Sequence, residues 1–118
     1  MSKSSITTDD DDERGPFPAG EDKLPPIHVG EHLKTEMEFL GLSANRLAQA
    51  LDVPANRISE LVAGRKAMTA DTALRLEKYG IGTADLWMNL QTGYELRLAR
   101  LKSGEALMKI KPRNDHAA

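Results

Sequence analysis

Three stretches of the chain carry residue types whose spacing could support chemistry. His28-Val29-Gly30-Glu31-His32 has the H-x-x-E-H spacing of one class of zinc peptidase. That chemistry needs both imidazoles on one face of a long helix, plus a third ligand. Pro25-Pro26 and Gly30 place the helix start near Glu31, so the expected reading is two exposed histidines at a helix entrance, with no metal and no cofactor. Asp9-Asp10-Asp11-Asp12-Glu13 lacks the spaced ligands and turn glycine of a calcium loop. It reads as a solvated acidic run, with a second reading in which the carboxylates mimic phosphates toward a basic partner or the chain's own basic face. The third stretch holds Asn56 and Arg57. Asparagine can pair two hydrogen bonds with the major-groove edge of adenine, and arginine can do the same with guanine. With no cysteine, disulfides, thiolate metal sites and cysteine nucleophiles are excluded. There is no Ser–His–acid set in a supporting motif and no glycine-rich phosphate loop, so the chain is expected to be a binder rather than an enzyme.

The elements that must position Asn56 and Arg57 are helical. Leu33, Met37 and Leu40 form one face of a first helix. Gly41 is placed as a left-handed cap, with Leu42 folding back. Ser43 is a good N-cap for a second helix with inner face Leu47, Ala48 and Leu51. Pro54 suits the first turn of a third helix, whose stripe is Ile58, Leu61 and Val62. Thr69 caps a fourth helix carrying Ala73, Leu74, Leu76 and Tyr79, broken by Gly80 and Gly82. Thr83 caps a fifth, in which Leu86, Trp87, Leu90, Tyr94, Leu98 and Leu101 make a long apolar seam that Gly104 is expected to end or weaken. No alternating run of β-branched residues appears, so the predicted class is all-α with no substantial sheet.

Two short helices joined by a tight turn, between Ser43 and Met68, form a helix-turn-helix. Small Ala48 lets the two helices cross closely, Val53 plugs the turn, and Ile58 and Leu61 pack the second helix on the first. Asp52 stands where such turns often place glycine, and aspartate tolerates the left-handed region better than most residues. The outer face of the second helix carries Ala55, Asn56, Arg57, Ser59 and Glu60, the face that would enter a DNA groove. Ser43, Asn45, Arg46, Arg65 and Lys66 flank it where phosphates would pass. The plainer reading is a solvated polar face on a helical core. Glu60 keeps alive a protein-interaction module that no longer reads DNA, because a groove carboxylate repels phosphate unless it accepts from cytosine N4.

Charge divides the chain. Residues 1–26 hold three bases against seven acids, a balance of −4; residues 27–118 hold 13 bases against 11 acids, a balance of +2. The expected division is a disordered acidic extension over 1–26, a DNA-binding and dimerisation domain over 27–101, and a basic, frayed extension over 102–118. No apolar run approaches the ~20 residues that span a bilayer, and the first thirty residues show no secretory leader. The expected setting is the cytoplasm. The seam Trp87, Leu90, Tyr94, Leu98 and Leu101, spaced 3, 4, 4 and 3, is too long for four short helices to cover and is expected to be shared between two copies.

Leu42–Ala48, Val53–Leu61, Gly64-Arg65-Lys66, Thr69–Leu76 and Leu86–Gln91 together resemble the HigA-type antitoxin family, within the phage-repressor-like helix-turn-helix class. The resemblance covers about residues 28–100. It departs where the family opens its first helix with Pro-Gly, here Val29-Gly30, and where the family has Tyr-Phe-Gly before the fifth helix, here Tyr79-Gly80-Ile81-Gly82. It implies a five-helix fold and a homodimer that binds double-stranded operator DNA and represses its own operon. It also implies a small basic, mRNA-cleaving toxin as partner, with no membrane involved. A free-standing transcriptional repressor without a toxin is the alternative.

Overall fold

The computed structural model describes residues 24–113. Five helices follow one another: α1 (Val29–Leu40), α2 (Ala44–Leu51), α3 (Ala55–Val62), α4 (Ala70–Tyr79) and α5 (Ala84–Met108), with no strand among the described residues. The acidic run Asp9–Glu13, like all of residues 1–23, lies outside the described residues.

The boundaries are set by local capping. Ser43 Oγ accepts from the Arg46 amide at 3.1 Å, Thr69 Oγ1 from the Thr72 amide at 3.3 Å and Thr83 Oγ1 from the Leu86 amide at 3.0 Å. Each closes an amide that the first helical turn leaves without a partner. Gly41 sits at φ 71°, and the Leu42 amide reaches back to the Met37 carbonyl at 2.9 Å, so the reversal after α1 forms as expected.

Three boundaries differ from the sequence expectation. First, α1 begins at Val29 rather than near Glu31, because the His28 imidazole caps it: Nδ1 accepts from the Gly30 amide at 2.9 Å. Gly30 is therefore a buried helical residue, and a Cβ there would lie 2.0 Å from the Leu61 carbonyl oxygen. Its lack of a side chain lets α1 lie against α3. Second, Pro54 precedes α3 as its N-cap, with extended backbone, instead of occupying the first turn. Third, α5 passes through Gly104 and ends at Met108, so the expected break does not occur and the 101/102 boundary falls inside a helix. A single interior glycine costs ~1 kcal/mol, and Leu101, Lys102, Glu105, Ala106 and Leu107 around it are good helix formers.

The core gathers Val29, Leu33 and Met37 from α1, Leu47, Ala48 and Leu51 from α2, and Ile58 and Leu61 from α3. Met68, Ala73, Leu76, Ile81 and Trp87 complete it. The expected stripes hold in part. Leu40, Leu74, Tyr79 and Leu86 are exposed, because only one narrow side of α1 and α4 faces the other helices, and buried Thr72 takes the place given to Leu74. Trp87, 2% exposed, is sealed by donating from Nε1 to the Ile81 carbonyl at 2.8 Å. It lies inside its own domain, so it cannot line a surface shared with a second copy. Along the rest of the seam, Leu90, Tyr94 and Leu98 are half-buried and Leu101 is exposed. Tyr94 meets the His28 ring edge-on at 4.9 Å, and Arg97 donates from Nη2 to the Leu24 carbonyl at 2.9 Å. These two contacts lay the entering chain along α5.

Candidate nucleic-acid interface

The turn between α2 and α3 decides where the polar face of α3 points. Asp52 ends α2 in the left-handed region, at φ 59° and ψ 49°, as its position between the two helices requires. The Val53 amide returns to the Ala48 carbonyl at 3.0 Å. Val53 then packs on the core beside Ile58 and Leu61, which face inward. With that side of α3 buried, Ala55, Asn56, Arg57 and Ser59 are exposed and Glu60 is half-buried.

Asn56 and Arg57 lie in the first turn of α3, and the Ser59 hydroxyl donates to the Asn56 carbonyl at 3.4 Å. Across an open groove stand Lys66 from the α3–α4 loop and Asp71 from the first turn of α4. The flanking positions are exposed as well: Ser43, Asn45 and Arg46 at the start of α2, and Arg65 and Lys66 in the loop. Ser43 is already engaged as the α2 cap through its hydroxyl.

Two of the candidate readers are paired. Arg57 Nη1 donates to Asp71 Oδ2 at 2.7 Å. The same oxygen accepts from Arg75 Nε at 2.9 Å, four residues further along α4. Arg75 Nη1 in turn donates to the Leu51 carbonyl at 2.9 Å and the Asp52 carbonyl at 3.3 Å, at the free C-terminal end of α2. A single polar line thus ties α2, α4 and α3 together. The Arg75 guanidinium first, and Arg57 beside it, hold the Asp71 carboxyl below the usual aspartate range. Arg65 Nε pairs with Glu60 Oε1 at 3.2 Å, so the carboxylate that argued against a DNA-facing surface carries its own counter-charge.

Asp71, Arg75 and Gln91 lie in stretches that carry the family resemblance, but the sequence assigns none of them a role at the site. The i, i+4 spacing of Asp71 and Arg75 at a helix start was the available signal for the first two. Nothing marks Gln91, which is buried inside α5. Its Oε1 accepts from the Met68 amide at 2.7 Å, and its Nε2 donates to Glu95 Oε2 at 2.8 Å. That bond fixes the end of the loop bearing Arg65 and Lys66. His28 and His32 do not make a paired ligand set on one helix: His28 stands outside α1 as its cap, while His32 is exposed on the helix.

The arrangement offers amide and guanidinium donors on an exposed short helix, with cations around it. No family model matches the chain. It is 49% identical over 84 residues to virulence-associated protein I of Dichelobacter nodosus, an alignment covering 70% of this chain and 78% of that protein. A solved addiction-module antidote protein of the HigA family from Coxiella burnetii superposes with a TM-score of 0.73 at 42% identity, covering 76% of this chain and all of that one. The Pseudomonas aeruginosa antitoxin HigA, solved with the higBA promoter, superposes with a TM-score of 0.71 at 36% identity. That match covers 75% of this chain and 99% of that one.

Proposed function

The chain belongs to the HigA family of helix-turn-helix antitoxins, and from that premise we propose that it binds double-stranded operator DNA as a homodimer and represses its own operon. In the same reading it neutralises a small basic toxin that cleaves mRNA, and it has no catalytic activity of its own. The observation that carries the DNA-binding part is the exposed first turn of α3, with Asn56 and Arg57 beside Lys66. The N-terminal end of such a helix reaches furthest into a major groove. The Ala44 and Asn45 amides at the start of α2 make no hydrogen bond among the described residues, so they are available to a phosphate. The solved Pseudomonas relative with promoter DNA supports the same assignment.

Roles follow from residue chemistry. Asn56 and Arg57 read base edges, with Ala55, Ser59 and Glu60 filling the rest of the α3 face. Ser43, Asn45, Arg46, Arg65 and Lys66 hold the backbone. The dimer joins along the outer side of α5 through Leu90, Tyr94, Leu98 and Leu101, placing two α3 helices on half-sites about 34–36 Å apart.

The test is binding of the purified protein to DNA from upstream of its own gene. Arg57→Ala and Asn56→Ala should each weaken binding by about 1–3 kcal/mol and relax the preference at one base position. Lys66→Ala should weaken all sequences alike and reduce the salt slope by about one. Equal and negligible effects of all three would remove the DNA-reading assignment. Expression from the native locus, with the neighbouring genes intact, tests the toxin. A stoichiometric small basic protein should co-purify, and an eluate that lacks one but still binds upstream DNA identifies a plain repressor.

A further inference from the structure

Asp71 occupies an unusual place for an acid. It sits at the mouth of the surface assigned to DNA, where phosphates would repel it, yet it holds two guanidinium groups on one carboxylate oxygen. We propose that Asp71 is the specificity-determining residue of this surface: it presets the Arg57 guanidinium for base reading and suppresses sequence-independent binding. This inference rests on the DNA-reading role of α3.

A free arginine side chain loses rotamer entropy when it is fixed on a base, and a base contact must overcome that loss. Arg57 is held before DNA arrives, because Nη1 is bonded at 2.7 Å to an acid that is itself held. Asp71 gains its rigidity from Arg75, which grips both the carboxylate and the Leu51 and Asp52 carbonyls. The anchor of Arg57 is therefore the end of α2 and not solvent.

A guanidinium has five N–H donors. One Nη1 bond goes to Asp71, and the Arg57 side chain is 41% exposed, so donors remain for an acceptor in the groove. Charge acts in the same direction. Attraction to any phosphate scales with net positive charge, whereas a base-edge contact depends on direction. A carboxylate beside Arg57 lowers the first and leaves the second in place. The ratio of specific to nonspecific binding rises as a result.

Asp71→Asn keeps the shape and an acceptor oxygen and removes the charge. Binding to the upstream operator and to a scrambled duplex of equal length would be measured across a salt series, for the wild type, Asp71→Asn, Arg57→Ala and the double variant. Expected for Asp71→Asn are tighter binding to the scrambled duplex, a salt slope steeper by about one, and a specificity ratio lower by about tenfold. In the Arg57→Ala background the same change should lower the ratio by less than it does in the wild type, because only the charge effect of Asp71 is left to lose. A helix-capping role for Asp71 would instead lower thermal stability and shift both duplexes in parallel, which overturns the proposal. An unchanged ratio in Asp71→Asn, with a wild type that discriminates, overturns this proposal and leaves the DNA-binding function standing. A wild type that does not discriminate overturns both.

Discussion

Arg57 is tied to Asp71 through Nη1 and lines the open groove beside α3, where the proposed base reading would use its remaining donors. The pairing has a definite pH dependence. The Asp71 carboxyl titrates below the ordinary aspartate range because Arg75 and Arg57 favour its charged form. A carboxyl depressed in the folded state contributes stability at pH values above its unfolded pKa. That contribution disappears as pH falls through the folded pKa. A carbon-detected NMR titration should place the Asp71 midpoint below that of the free residue, and Arg75→Ala should raise it more than Arg57→Ala. Gly30 belongs to the same scale. A methyl group at that position would sit 2.0 Å from the Leu61 carbonyl oxygen, and backbone cannot yield as a side-chain tip can. Gly30→Ala should cost about 1–3 kcal/mol or more and lower the melting temperature by at least about 4 °C. Asp52 gives the opposite sign. It pays for a left-handed backbone that glycine adopts freely, so Asp52→Gly should stabilise by about 0.5–1 kcal/mol in chemical denaturation.

The helices and their connections depend on polar ties as much as on the apolar stripe. The α3–α4 loop carries Arg65 and Lys66, and its end is fixed because Gln91 on α5 accepts from the Met68 amide. Gln91→Leu leaves that buried amide without a partner, at a cost of about 1–3 kcal/mol. Hydrogen exchange should then accelerate at Met68, and a loop that no longer holds Lys66 in place should weaken DNA binding without altering base preference. The connection between α4 and α5 is closed in a similar way. Glu77 Oε1 accepts from the Ala84 amide at 2.7 Å, while Trp87 bonds to the Ile81 carbonyl. A Cβ at Gly82, where φ is 70°, would lie 2.7 Å from Trp87 Nε1, so this tight connection depends on its glycine.

At the scale of the whole molecule, α5 is much longer than any other helix, and α4 and α1 are the helices that pack against it most. Beyond Leu98 it leaves Leu101, 54% exposed, and Leu107 in solvent. The proposed dimer would cover part of this stretch, and twofold pairing gives a repressor its two reading heads. Leu101→Glu should leave the melting profile close to wild type, because the residue is exposed and outside the core. It should raise the dimer dissociation constant by roughly tenfold in sedimentation and reduce operator binding in step. An operator affinity unaffected by this change would place the dimer contact elsewhere on the molecule.

Much of this architecture was legible in residue order. Ser43, Thr69 and Thr83 announce helix starts because capping is local, and Gly41 with Leu42 announces a reversal for the same reason. Ala48, Val53, Ile58 and Leu61 reveal the helix-turn-helix, since small, plugging and apolar residues recur at spacings that one helical period explains. The outward face of α3 follows once Ile58 and Leu61 are turned inward. Other features exist only in three dimensions. Trp87 reads as part of an open seam until Ile81 is seen closing over it. His28 reads as an exposed histidine at a helix entrance until its imidazole is found capping α1. The Arg57–Asp71–Arg75 line spans three helices, with partners 14 and 24 residues apart. No local pattern encodes such contacts, because the packing of the helices decides which distant side chains come within reach of a hydrogen bond.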